Sequence, residues 1–136
     1  VLSMTIQLSV AVRNARLDTI ESTIGASAIL RIRSGAVPAS CATADAGTVL
    51  ATITVPADWA AAASAGSKAF LGTWQDASAD ATGTAAHFRL YDSGGTLCHI
   101  QGTVGTSATD MIVDSVNFTA GQSFTVNSFT LTDANA

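Results

Sequence analysis

Ala85-Ala86-His87-Phe88-Arg89-Leu90-Tyr91, then Asp92-Ser93-Gly94-Gly95, then Thr96-Leu97-Cys98-His99-Ile100-Gln101-Gly102-Thr103-Val104 reads as two strands joined by a turn. Side chains along a strand point to alternate faces, so a period of two separates a core face from an outer face. A three-residue loop of Ser93, Gly94 and Gly95 would set Gly95 at positive φ. It would pair Phe88 with Ile100, Leu90 with Cys98 and Ala86 with Gly102, keeping the apolar side chains together. A slip by one residue would place Phe88 opposite His99 and mix the faces. The outer face then carries His87, Arg89, Tyr91, Leu97, His99 and Gln101.

The same period extends outward from this hairpin. Upstream, Ala28, Leu30 and Ile32 alternate with Ile29, Arg31 and Arg33 until Ser34-Gly35. Residues 36–47, with Pro38, have no periodicity and read as a loop. Thr48 to Val55 is a strand with Val49, Ala51, Ile53 and Val55 on one face, and Pro56 stops it. Residues 57–67, with Trp59, fit a helical turn or a surface loop equally. Lys68 to Trp74 reads as a short aromatic strand, and 75–83 as a loop of small residues.

Downstream, Met111 to Phe118 is a strand broken at Asp114, and Thr119 to Gln122 is a turn. In the last strand, Ser123 to Thr132, Phe124 and Val126 are out of phase with Phe129 and Leu131. Such a slip at Asn127-Ser128 marks a β-bulge.

The period changes to that of a helix only near the start. Ser9 is placed to cap a helix over Val10–Ile24, and Gly25 to end it. Val10, Leu17, Ile20 and Ile24 form its apolar stripe. The expected architecture is mainly β, an antiparallel β-sandwich with one N-terminal α-helix. One domain spans 1–136, with the helix at about 9–24 and the sandwich at about 28–132.

Composition narrows the function. The chain has 136 residues, enough to bury a core without disulfide or metal support. Only 12% of its residues are charged, about half the usual share, so the surface is unusually neutral. Few charges need desolvation when such a surface is covered by a partner. A net charge of −4 and six Lys and Arg speak against nucleic acid, which needs a basic face. No apolar run reaches membrane-spanning length. The opening residues lack a basic segment followed by a long apolar one, so no standard secretion signal is expected. Cys41 and Cys98 are too few and too far apart for a disulfide framework, and both read as reduced.

Candidate chemistry is sparse. His87 and His99 share the outer hairpin face with Arg89 and Tyr91, but no carboxylate joins them and the spacing fits no zinc pattern. Cys98 and His99 are adjacent on a strand and point to opposite faces, so one ion is not expected to bind both. The aspartates form no calcium loop, no serine sits in a nucleophile elbow, and Gly94-Gly95 belongs to a hairpin turn. The triplet Asn117-Phe118-Thr119 is taken as chance. Arg31 and Arg33 share an outer strand face, either as a solvated edge or as an anchor pair for a partner. Two of Trp59, Phe70 and Trp74 are expected in the core. No catalytic, cofactor-binding or metal residue is expected, and no small-molecule substrate. The candidate protein-interface residues are Arg31, Arg33, Trp59, His87, Arg89 and His99.

Four stretches carry a resemblance: Val10-Ala11-Val12-Arg13-Asn14-Ala15-Arg16-Leu17-Asp18; Leu30-Arg31-Ile32-Arg33-Ser34-Gly35; Asp80 to Ser93; and Ala120 to Thr130. The most specific piece is Ala81-Thr82-Gly83-Thr84-Ala85 with Phe88-Arg89-Leu90-Tyr91-Asp92. Together they resemble small virion proteins of tailed bacteriophages, in particular the capsid cement or decoration proteins. The resemblance implies a jelly-roll-like β-sandwich that binds as a homodimer to the outside of an HK97-like capsid. There it would bridge major capsid protein subunits, after assembly in the bacterial host cytoplasm. It supplies no catalytic residues and no role for Cys41, Cys98 or His99. The rival expectations are a tail-associated glycan-binding sandwich, for which Trp59 is the candidate platform, and a head–tail or tail structural subunit.

Overall fold

The computed structural model describes residues 6–135. Among these described residues, one helix and ten short strands make a mainly β, sandwich-like fold. α1 spans Val10–Ile24. The strands are β1 Ile29–Arg33, β2 Val49–Thr54, β3 Ser67–Ala69, β4 Gln75–Asp76, β5 Gly83–Thr84, β6 His87–Tyr91, β7 Cys98–Gly105, β8 Met111–Val113, β9 Asn117–Phe118 and β10 Phe124–Thr132. The large sheet runs β2-β1-β6-β7-β8-β10-β3, with β4 also on β10, and β5 pairs with β9 in a second small sheet.

The helix has the expected bounds for the expected reasons. The Ser9 hydroxyl accepts the Val12 N–H at 3.2 Å, and Gly25, at φ 90°, donates its N–H to Glu21 O. Its buried face differs by one position. Val10 is 48% exposed, whereas Arg13 is buried in line with Leu17, Ile20 and Ile24. The helix lies against the turn at Gly66, and Arg13 Nη1 donates to Asp133 O at 3.3 Å. A Cβ on Gly66 would stand 2.0 Å from Arg13 Nη1. The absent side chain is what admits the guanidinium.

The central hairpin forms, with Gly95 at φ 70°, but in another register. Phe88 pairs with Gly102, Leu90 with Ile100, and Tyr91 with Cys98, across a bulge between Leu90 and Tyr91. The turn is wider than three residues because Asp92 organises it. Its Oδ1 accepts from Thr96 N and Leu97 N at 3.0 and 3.4 Å, and Asp92 N donates to Leu97 O. The two-residue shift keeps Phe88, Leu90 and Ile100 on the core face. The bulge turns Cys98 away from Leu90 and onto the face of Tyr91.

Elsewhere the break at Asp114 separates β8 from β9, and β10 shifts register between Val126 and Ser128, where the phase slip lies. Residues 57–67 are not a helical turn. Bridges Ala60↔Phe70 and Ser64↔Ser67 fold them into a hairpin that reverses at Ala65 and Gly66. The aromatic strand ends early, at Ala69. Not every pairing is antiparallel: β7 and β8 run parallel over Val104↔Met111 and Gly105↔Ile112. Asp110 Oδ2 accepts both Thr103 N–H and Thr103 O–H, at 2.9 and 3.0 Å, and so folds the connecting loop back along β7.

The core lies inside the curl, where Leu30, Ile32, Phe88 and Leu90 meet Trp59, Trp74 and Phe129. Trp59 and Trp74 are fully buried and Phe70 partly. Each indole N–H has a partner, Gly25 O for Trp59 at 3.0 Å and Leu71 O for Trp74 at 3.2 Å, as buried tryptophans require.

Candidate functional site

Alternation along β1, β6 and β7 sends Arg31, Arg33, His87, Arg89, Tyr91 and Gln101 to the face opposite the core. The pairs Arg31↔Arg89, Arg33↔His87 and Arg89↔Gln101 set them side by side. This face is neither solvated nor open to a partner. Residues 34–48 fold back across it, and Arg89 is only 2% exposed.

Arg89 pins that loop. Its Nη2 donates to the carbonyls of Ser40, Cys41 and Thr43 at 2.9, 3.3 and 3.0 Å. Its Nη1 donates to Asp45 Oδ1 at 2.5 Å, and its Nε to Gln101 Oε1 at 3.1 Å. Gln101 in turn donates to Pro38 O at 2.7 Å. Asp45 also accepts from Tyr91 OH at 2.6 Å and pairs with Arg33 Nη2 at 3.1 Å. Burial pushes the Asp45 carboxyl up, but the Tyr91 and Arg89 hydrogen bonds and the Arg33 charge outweigh it and hold it below the usual range. Burial and the Asp45 acceptor both raise the Tyr91 phenol. His87 is fully buried and faces Gly35 O at 2.7 Å through Nδ1, so that nitrogen carries the proton.

Of the six candidate interface residues, the structure brings four together, Arg31, Arg33, His87 and Arg89. Three of these, Arg33, His87 and Arg89, are buried within the chain. Arg31 remains half-buried, donating to Gly95 O at 2.9 Å, with its guanidinium 4.8 Å from the Tyr91 ring centroid. Trp59 is core, away from this face. His99 is half-buried beside α1, near Arg16 and Ile20. Of the six, Arg31 and His99 alone keep part of their side chains exposed. The sequence reading missed Asp45 and Gln101 as members of the network. Asp45 had a signal: it is the one acid between Glu21 and Asp58, and it serves two arginines, Arg33 and Arg89, that need a counter-charge.

A further buried cation, on another part of the sheet, was also missed. Lys68, on β3, is 3% exposed. Its Nζ reaches Asp18 Oδ1 at 2.8 Å, Glu21 Oε1 at 2.9 Å and Ala61 O at 2.9 Å, joining α1 to the sheet. Asp18 is lowered by its hydrogen bonds from Lys68 and the Ala63 N–H. Glu21 is raised by burial, but Lys68 and the Ala60 N–H bring it below its ordinary value. Lys68 is lowered by burial, and its two carboxylate partners more than reverse that, leaving it raised.

Among the described residues, no three His, Cys, Asp or Glu side chains converge as a metal-ligand set. No described helix is long and apolar enough to cross a membrane. A cleft of about 530 Å³ between β7 and β10 has Asp110 as the one ionisable side chain on its described walls. That carboxylate is engaged with Thr103. Comparison with protein-family models, with curated proteins and with solved structures finds no match.

Proposed function

We propose that this chain is a non-enzymatic structural protein of a tailed-phage virion, a capsid cement protein that docks as a homodimer on the outer surface of the major capsid protein lattice. The observation that carries the proposal is where the charge lies. Arg13, Arg33, Lys68 and Arg89, four of the six Lys and Arg side chains, are buried in contacts within the chain. Of the other two, Arg16 is paired with Asp133 at 3.1 Å and Arg31 is laid over Tyr91. What faces outward is a skin of small neutral residues and scattered acids. Such a skin is cheap to desolvate against a protein and unsuited to phosphate. A lattice multiplies modest contacts across many fixed sites, so no single strong anchor is needed. Ile6, Val10 and Val12 stand exposed near the start of α1, an apolar stretch suited to cover by a second copy.

The resemblance of the four quoted stretches to phage cement proteins supports the same reading. The glycan-binding alternative loses its platform, because Trp59 is 1% exposed and its indole N–H is already bonded. The test is co-sedimentation with shells assembled from the major capsid protein alone. Saturable binding and greater survival of heat or low salt are expected. Failure to pellet with the shells, or equal survival with and without the chain, would overturn the proposal.

A further inference from the structure

Cys41 and Cys98 line one cleft at the seam between the covering loop and β7. The sequence holds them far apart, and two features bring them together. The bulge beside Tyr91 rotates Cys98 onto the outer face. Arg89 fixes the loop backbone at residues 40, 41 and 43, on both sides of Cys41. Both thiols then line the same cleft, the Cys98 thiol donating to Ile100 O at 3.5 Å, and both are free. A cleft of about 310 Å³, with Cys41 to Asp45 on one wall and Thr96 to Cys98 on the other, leads from solvent to the pair. We propose that Cys41 and Cys98 are an oxidation site whose intramolecular disulfide locks the 34–48 loop onto the sheet when the protein meets a small-molecule disulfide such as oxidised glutathione.

The order of steps follows from access and acidity. Cys98 is buried, and burial together with the neighbouring Cys41 thiol pushes it up to about 12. Cys41 is half-buried at the cleft, so it is the first nucleophile. Its thiolate attacks one sulfur of glutathione disulfide, forming a mixed disulfide and releasing one glutathione thiolate, which takes up a proton. Cys98 then gives its proton to solvent, attacks the Cys41 sulfur and expels the second glutathione. Two protein thiols are oxidised and one glutathione disulfide is reduced to two thiols. The new bond closes the long chain segment between Cys41 and Cys98, a constraint felt mainly by the unfolded chain. The inference stands on the geometry of the loop and does not rest on the virion reading.

The test uses the full wild-type chain in glutathione buffers of graded oxidation, followed by intact mass, peptide mapping and thermal melting. We expect a monomer lighter by two hydrogens, a Cys41–Cys98 cross-linked peptide, and a melting temperature raised by roughly 10 °C that reductant reverses. Cys98→Ser is expected to stop at the glutathione adduct on Cys41, with no lighter monomer. Protein that carries only glutathione adducts or intermolecular disulfides overturns the pair. The intramolecular bond without a rise in melting temperature overturns the lock.

Discussion

Arg89 and Lys68 are both buried cations that hold a cover in place, and they do so by different means. Arg89 holds a loop with no regular structure of its own. Its planar fork reaches three backbone carbonyls, Asp45 and Gln101, so it supplies much of the bonding that the loop cannot supply for itself. Lys68 holds a helix that already has its own backbone bonds and caps. Its ammonium gathers two carboxylates and one carbonyl, fixing where the helix lies rather than whether it forms. The buried guanidinium therefore determines local structure, and the buried ammonium determines docking.

The largest expected effect is on the loop side. Arg89→Met should cost about 3–5 kcal/mol, because it leaves carbonyls and the Asp45 charge without their donor under the loop. Urea unfolding would measure it, with amide exchange in 34–48 rising toward that of an unprotected chain. Lys68→Met should cost less, about 2–3 kcal/mol, since the Asp18 side chain is 49% exposed and can rehydrate. Helical circular dichroism should be largely retained. Equal costs, or loss of the helix in Lys68→Met, would break the distinction drawn above.

Acid should loosen both covers. Asp45, Asp18 and Glu21 are held below their unfolded values. Their contribution is therefore present above about pH 4 and is lost as pH falls through the lower folded values. Asp58, raised by its hydrogen bond to Glu21, works in the opposite sense. Stability measured from pH 6 down to 2 should fall below about pH 4, and Asp45→Asn should flatten part of that fall.

Alkali separates the two anchors. Lys68 is raised, so its contribution is complete below its unfolded value of about 10.4 and is lost as pH climbs through the folded one. Arg89 keeps its charge, and the loop loses only the Tyr91 hydroxyl bond. The alkaline fall in stability should be smaller in Lys68→Met than in wild type, and an identical fall would remove Lys68 as its source. The smallest effect is at the cap: Ser9→Ala should cost about 1 kcal/mol, read from the urea midpoint at unchanged slope.

Much of the fold was legible because it depends on neighbours in the chain. Ser9 and Gly25 delimit α1 by local hydrogen bonding, Gly95 takes its turn conformation, and the phase slip at Asn127-Ser128 is a bulge that can be read by counting. The candidate site was legible only as a face. Arg31, Arg33, His87 and Arg89 follow from period two, but that their face is covered does not, since residues 36–47 carry no pattern that says where they go.

By itself the sequence determined the helix and its ends, most strand positions, the sparse charge and the sharing of one face by the arginines. Each of these is settled by hydrogen bonds and alternation over a few residues. Only the tertiary structure decided that four cations turn inward, that β7 runs parallel to β8, and that Cys98 leaves Leu90 for the cleft that Cys41 also lines. A buried charge goes where counter-charges and carbonyls can surround it, and those partners come from segments far apart in the chain.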